Sequence, residues 1–250
     1  MPPPAAVHIG VLKDARNREI TGVAIDSRKI EKDFLFVPIK GARVDGHDFI
    51  EQVMEKEALC TLSEHPLTGA RYPYILVNST EQALKDLAHF YRSQLDLKVI
   101  GITGSVGKTS TKELIASVLE QKYRVLKTEG NYNNEIGLPL TIFRLTEEDE
   151  IAVLEMGIDH FGEMHRLADI ARPNVCVITN IGYAHLEKSR ITGRNFTGKN
   201  GNVRPFTAEF AVVLNGDDDM LRTVADVHGQ KPVFFGIDSA RPGLCLPHRK

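Results

Sequence analysis

No apolar run in the sequence approaches the ~20 residues that a membrane-spanning helix needs, so no transmembrane segment is predicted. The start, MPPPAAVHIG, lacks the charged-then-apolar layout of a secretory signal. Cysteine is scarce. Cys60, Cys176 and Cys245 stand far apart, which argues against both a disulfide framework and a zinc site. Cys60 and Cys176 lie in apolar runs and are expected to be buried as small hydrophobes. An excess of either charge is also missing. The 31 Lys and Arg against 33 Asp and Glu leave a net charge of −2, which gives no reason to expect nucleic acid or a membrane surface as partner. These absences predict a cytosolic protein. With 42% hydrophobic and 26% charged residues, the composition is that of a soluble globular protein, and 250 residues suffice for one large or two ordinary domains with real cores.

The sharpest local pattern is VIGITGSVGKTS, residues 99–110. Val99 to Thr103 reads as a buried strand that stops at a glycine-rich turn, Gly104, Ser105, Val106 and Gly107, followed by Lys108, Thr109 and Ser110. Residues 112–121 place Leu114, Ile115, Val118 and Leu119 at helical spacing, so the turn opens a helix. This combination is a phosphate cradle: backbone N–H groups at the helix start face the anion, Lys108 adds a mobile positive charge, and the Thr109 hydroxyl can hold Mg²⁺. The strict spacing G-x-x-x-x-G-K-[ST] is not met, because the first glycine would fall at Ile102. An ordinary tight strand-to-helix turn is the plainer alternative, but it needs no lysine and two hydroxyls behind its second glycine.

Before this stretch, residues 22–25, 34–39, 58–62 and 74–77 read as strands and 48–56 as a short helix. Ser79 caps a helix through Leu95 with Ala83, Leu84, Leu87, Ala88 and Tyr91 on one face. The result is a small α/β domain over residues 1–96, with little pattern before residue 20. Polar groups stand at its strand ends: Ser27 and Arg28, then Arg43, Asp45 and His47. Turn chemistry and a site for a phosphorylated or nucleotide-like group, with Arg28 and Arg43 as bidentate donors, account for them equally well.

Residues 97–250 read as a second domain. Strands at 99–103, 123–127, 151–155, 175–179, 211–214 and 233–236 alternate with helical patterns, which predicts a parallel sheet with helices on both faces. Ligands bind at the carboxyl ends of such strands, where the polar clusters fall. Asn131, Asn133 and Asn134 could make Asx turns or hydrogen-bond a polar substrate, and the second reading is favoured. Glu155 ends an apolar strand, where Mg²⁺ or a nearby lysine could partner it. His185 is either a satisfied structural histidine or a ligand and proton handler. Asp217, Asp218 and Asp219 are expected to cap a helix over 220–227.

Taken together, these residues resemble the Mur ligase family. The matching text is DSRKIEKDFLFVPIKGARVDGHDFI, GITGSVGKTSTKE, TEGNYNNEIGLPLTI, LEMGIDHFGEM and ITNIGYAHLEK, covering about residues 20–188 and resuming at 210–219. The resemblance implies an ATP-dependent amide ligase of peptidoglycan precursor synthesis. GNYNNEIGLPLT and EMGIDHFGEM point within the family to D-alanyl-D-alanine and UDP-N-acetylmuramoyl-tripeptide as substrates. It implies that residues 104–110 bind ATP, with Lys108 and His185 catalytic. Thr109, Glu155 and His185 would organise Mg²⁺, Asn131 and Asn134 would face the nucleotide and Asn133 the substrate. Ser27, Arg28, Arg43, Asp45 and His47 would serve the UDP-sugar, in a monomer. A catalytically incomplete nucleotide- or UDP-sugar-binding fragment is the alternative. A folylpolyglutamate synthase-like ligase is a weaker one, against which the DSR, DGH and NYNNEIG text argues.

The sequence departs from the family in two places. The family's C-terminal domain, which closes over ATP, is expected to be absent from the sequence after residues 234–236. After HLE, where the family carries a lysine that becomes carbamylated, stands the glycine- and asparagine-rich ITGRNFTGKNGNVRPFTAE. Lys199 lies near the expected place but outside any matching motif. Codons compatible with residues 193–208, taken one nucleotide along, spell Gly-Glu-Ile-Leu-Gln-Ala-Lys-Met-Glu-Met-Phe-Asp-Arg-Leu-Gln. That is an amphipathic helix carrying the Ala-Lys-x-Glu of the family. The expected outcome of re-reading the coding DNA here is a local frame shift, later restored, and an unambiguous in-frame read excludes a sequencing origin.

Overall fold

The computed structural model describes residues 8–10 (as backbone), 18–157, 163–182, 210–227 and 229–237 of the chain. Two compact units divide it, Met1–Ala88 and His89–Lys250. Among the described residues, no helix is long and apolar enough to cross a membrane.

The first unit holds β1 (His8–Gly10), β2 (Gly22–Ala24), β3 (Phe34–Phe36), β4 (Cys60–Ser63) and β5 (Tyr74–Leu76), in the order β1-β5-β4-β3-β2. β1 is antiparallel to β5, and the other neighbours are parallel. A 3-10 turn over Gly46–Phe49 leads into α1 (Ile50–Glu55), whose Ile50 and Val53 join Phe36 and Ala24 in one core cluster. The α2 helix (Thr80–Gln94), within which the division falls, starts as its sequence predicts: Ser79 Oγ accepts a hydrogen bond from the Gln82 N–H at 3.2 Å. β1 was not expected. Three residues are too few for alternation to register, and the strand exists through its pairing with β5.

The second unit strings β6 (Lys98–Thr103), α3 (Lys108–Leu119), β7 (Val125–Lys127), α4 (Gly137–Ile142), β8 (Ile151–Glu155), α5 (Glu163–Ala171), β9 (Val175–Ile178), β10 (Ala211–Asn215) and β11 (Val233–Phe235). Its six strands, all anticipated, pair in parallel in the order β11-β10-β9-β6-β8-β7. Ile102, Val153 and Val177 share a cluster with Ala116 of α3. On the alternate side of β6, Met156 closes over Gly101: a Cβ there would lie 2.4 Å from the Met156 methyl, which would have to move aside. Strands β7 and β8 lie to one side of β6, and β9, β10 and β11 to the other. The chain therefore reverses direction across β6, which opens a crevice at the carboxyl end of that strand.

α3 begins at Lys108, directly after the glycine turn as expected and four residues before the apolar spacing becomes visible. One helix expectation needs correction. The helix expected over 220–227 is only a 3-10 turn, Leu221–Thr223, followed by extended Val224. Leu221, Val224 and Val227 are three apart and all enter one core cluster, so burial imitates a helical period without a helix. Asp218 alone of the three aspartates caps the turn, its Oδ1 accepting from the N–H groups of Met220 and Leu221 at 2.9 Å each. Cys60 and Cys176 are buried as expected, and burial pushes their thiols up to about 11 and about 12. Cys245 lies outside the described residues.

Arg92 ties the second unit at the entrance to β6. It is 6% exposed, and its guanidinium donates to the carbonyls of Ala171 (3.2 Å), Leu95 (2.9 Å) and Leu97 (3.1 Å). Burial draws its pKa down from the usual guanidinium value. Replacing Arg92 by Met keeps the stem but strands these carbonyls. The expected loss is about 2–4 kcal/mol in urea unfolding of the second unit, and unchanged unfolding would show the three bonds to be dispensable.

Candidate phosphate-binding site

The loop from β6 to α3 turns on two glycines with positive φ, Gly104 at 138° and Gly107 at 85°. Gly107 is the residue before α3, and among the described residues no side chain caps that helix start. Its first-turn N–H groups therefore remain for an anion, with the positive end of the helix dipole behind them. Lys108 Nζ donates to the Gly104 carbonyl at 2.7 Å, arching across the loop it terminates. Ser105, half-buried, accepts the Gly182 N–H on its Oγ at 2.7 Å. Val106 is exposed, as are Thr109 and Ser110 on the first turn of α3.

Glu155 ends β8 beside this loop and is 3% exposed. Its Oε2 accepts from the Thr109 hydroxyl at 3.0 Å and its Oε1 from Asn133 Nδ2 at 3.0 Å, while its backbone N–H donates to Thr128 Oγ1 at 3.0 Å. All these partners are neutral, and no Lys or Arg pairs with the carboxylate among the described residues. A buried carboxylate without a cation is costly. Two hard oxygen donors, Glu155 and Thr109, within hydrogen-bond reach at a phosphate loop fit Mg²⁺ as the missing charge. Among the described residues no group of three His, Cys, Asp or Glu could hold a metal, so phosphate oxygens or residues elsewhere would complete such a site. His185, assigned to both catalysis and metal, lies outside the described residues.

The three asparagines separate in role. Asn133 orients Glu155 through its side chain, and its carbonyl accepts the Gly157 N–H at 2.7 Å. Asn134 Oδ1 takes the N–H groups of Ile136 (3.2 Å) and Gly137 (2.7 Å), capping the start of α4. The Asx turn that was the lesser expectation for Asn134 is thus present. Asn131 is exposed. Sequence reasoning missed Thr128, whose carbonyl also accepts buried Lys112 Nζ at 2.7 Å. A threonine closing the edge strand of a parallel sheet was the available signal.

In the first unit, Arg28 forks onto Asp26 through Nε (2.9 Å) and Nη2 (2.7 Å), and Asp26 also takes the Arg28 N–H. These bonds hold the Asp26 carboxyl down at about 2. The pair fixes Arg28 while its side chain stays 87% exposed. The Ser27 carbonyl accepts Lys56 Nζ at 2.8 Å, and Arg43 is exposed in the loop closed by the Lys40–Asp45 bridge.

Asp45 and His47 lie against each other. Asp45 Oδ1 accepts the His47 N–H at 3.0 Å and faces His47 Nδ1 at 2.7 Å, bonds that pull its carboxyl below the usual range. His47 Nε2 accepts the Glu64 N–H at 3.2 Å, so the ring is the Nδ1–H tautomer. With its side chain 5% exposed, His47 has both nitrogens spent inside the unit and none left for a sugar or phosphate.

Comparisons with known proteins agree with this arrangement. The Mur ligase middle domain family matches residues 102–243, and the family described as Mur ligase family, catalytic domain, matches residues 19–92. The UDP-N-acetylmuramoyl-tripeptide--D-alanyl-D-alanine ligase of Bacillus subtilis is 49% identical over 170 residues, 67% of this chain and 37% of that protein. Among solved structures, the UDP-N-acetylmuramoylalanyl-D-glutamyl-2,6-diaminopimelate--D-alanyl-D-alanyl ligase of Acinetobacter baumannii superposes with a TM-score of 0.78 at 32% identity, covering 88% of this chain and 49% of that one. A MurF ligase of Thermotoga maritima in complex with ADP gives 0.75 at 34% identity, covering 88% and 51%. The chain thus spans about half the length, or less, of the relatives it matches.

The loop makes a strict demand on Gly104. A Cβ there would lie 2.0 Å from Thr179 Oγ1, in a backbone conformation that side chains rarely adopt. Gly130 also has a positive φ, 50°, but nothing lies within 4 Å of its missing Cβ. Thermal unfolding should find Gly130→Ala costing about 1 kcal/mol and Gly104→Ala about 2 kcal/mol more. Equal costs would mean that Thr179 yields freely.

Proposed function

The chain belongs to the Mur ligase family, and from that membership we propose an ATP-dependent amide ligase of peptidoglycan precursor synthesis. Its substrates are ATP, UDP-N-acetylmuramoyl-tripeptide and D-alanyl-D-alanine, which the names of its relatives support. ATP phosphorylates the terminal carboxylate of the tripeptide. The dipeptide amine then attacks the acyl phosphate, forming the amide and releasing inorganic phosphate. In this reading residues 97–250 bind the nucleotide and residues 1–96 the UDP-sugar.

The observation that carries the proposal is the buried Glu155 carboxylate held 3.0 Å from the Thr109 hydroxyl, beside an uncapped helix start. Transfer of a phosphoryl group chiefly needs its charge neutralised and its reacting oxygens aligned. The N–H groups opening α3 take phosphate oxygens. Lys108, already lying over the loop, exchanges the Gly104 carbonyl for a phosphate oxygen. Thr109 and Glu155 are the residues that would hold Mg²⁺, whose charge offsets that of the triphosphate. Asn133 keeps Glu155 turned toward Thr109. Arg28, braced by Asp26, and Arg43 are the exposed cations suited to the diphosphate of the UDP-sugar.

Phosphate release from Mg·ATP, with the two other substrates added singly and together, tests the proposal. Release that requires both is the expected result, with Lys108→Ala lowering it by about 10²-fold or more. Nucleotide binding that Lys108→Ala weakens, without release under any combination, would restrict this stretch to binding. Absence of nucleotide binding would overturn the reading.

A further inference from the structure

The phosphate loop does not hold its shape alone. Thr179, which follows β9 and is 8% exposed, sits beneath it. Its Oγ1 donates to the Val106 carbonyl at 2.6 Å, with the Thr103 carbonyl at 3.2 Å. Its side chain fills the space between the two glycines: Oγ1 lies 2.0 Å from where a Gly104 Cβ would be, and Cβ 4.0 Å from that of Gly107. Asn180 holds the same loop from the side. Its Oδ1 accepts the Val106 N–H at 2.9 Å and its carbonyl accepts the Ser105 N–H at 3.2 Å. Both polar backbone groups of Val106 are thus bound by side chains more than 70 residues away in sequence. The segment is anchored in turn from beyond β10. Asn215 Nδ2 donates to the Thr179 carbonyl at 2.9 Å, and Asp218 Oδ2 accepts the Ile181 N–H at 3.0 Å.

We infer that Thr179 and Asn180 are positioning residues that fix the backbone of Val106, and so the aperture through which the loop takes phosphate, with Asn215 steadying them. The inference rests on the phosphate-loop reading above. It has a physical basis in the loop's own composition. A turn with glycine at both ends and an exposed valine at its tip has few internal restraints, and each unrestrained peptide must be ordered when the anion binds. Fixing Val106 beforehand moves that ordering from binding to folding. The missing first glycine of the strict phosphate-loop spacing has the same consequence: a shorter loop has fewer of its own N–H groups to wrap the anion, and its outline depends on the strand beside it. Asp218, unlike Asn215, also caps the 3-10 turn, so its loss would report on that turn as well.

The test compares the full 250-residue chain with Thr179→Val, Thr179→Ser, Asn180→Ala and Asn215→Ala, using amide hydrogen exchange by NMR and titration with Mg·ATP. In Asn180→Ala the Val106 amide should exchange at least about tenfold faster, with Ile102 inside β6 unchanged. Thr179→Val should weaken Mg·ATP binding about tenfold, with Thr179→Ser restoring it, as expected for one hydrogen bond of about 1.4 kcal/mol. Asn215→Ala should move both readouts in the same direction and less far. A Val106 amide that exchanges at the wild-type rate in Asn180→Ala overturns the inference, whether or not nucleotide binds. So does Thr179→Val binding Mg·ATP as the wild type does. If the wild-type chain binds no Mg·ATP while the exchange rates shift as stated, the brace stands and the phosphate-loop reading falls, so the two failures are told apart.

Discussion

A negative charge buried with no positive one beside it among the described residues is the constraint around which the second unit is arranged. Glu155 closes β8, flanked in the sheet by β6 and β7, where an ionised carboxylate loses most of its hydration. Two neutral groups donate to it, the Thr109 hydroxyl and the Asn133 amide, while the backbone N–H of Glu155 donates to the Thr128 hydroxyl. Thr109 comes from the connection after β6, and Asn133 and Thr128 from the connection after β7, so Glu155 draws together the carboxyl ends of neighbouring strands. Hydrogen bonds from neutral groups soften the desolvation of such a charge without cancelling it. The remaining deficit is what suits the position to a divalent cation arriving with a phosphate. A hydrophobic residue there would pack more easily and do nothing.

The sheet supplies the second requirement, an accurate platform. Parallel strands reversing direction across β6 leave an opening at the carboxyl end of that strand, and the glycine turn sits in it. Precision there comes from neighbours rather than from the turn. Thr179 and Asn180 reach the loop from β9, and Asn215 and Asp218 reach that segment from β10. Consecutive strands thus pass rigidity sideways toward the phosphate loop. Met156, closing on Gly101 from the alternate side, extends the same economy of small residues. In the first unit the polar strand ends are divided differently. Asp45 holds its own turn and His47 reaches from it to the Glu64 N–H, while Asp26 restrains an arginine that remains open to solvent.

The strands of the parallel sheet were legible because buried strands of this kind are short continuous apolar runs, and each is bounded by glycine, asparagine or a charge. The glycine-lysine-threonine turn was legible because no ordinary turn needs that combination. Where the sequence misled, tertiary burial had produced a local pattern with another cause. Leu221, Val224 and Val227 point into one core at helical spacing from a chain that is mostly extended. Asp45 and His47 look like site residues because aspartate and histidine serve turns and ligands alike, and only the Glu64 N–H on Nε2 separates the two uses. β1 left no trace of its own, since a three-residue strand is defined by its partner.

By itself, then, the sequence determined the class of fold, where the strands of the parallel sheet fall along the chain and the loop able to meet a phosphate. All of these depend on residues adjacent in the chain, or on a period that adjacent residues display. Only the tertiary structure decided which polar groups face one another. Glu155 and Thr109 are 46 residues apart, and Asn180 and Val106 are 74 apart. Nothing in local spacing records a hydrogen bond between groups so distant. Such pairs exist because parallel strands must be joined by long crossovers, which bring remote strand ends to one rim while leaving chain neighbours on opposite sides of the sheet.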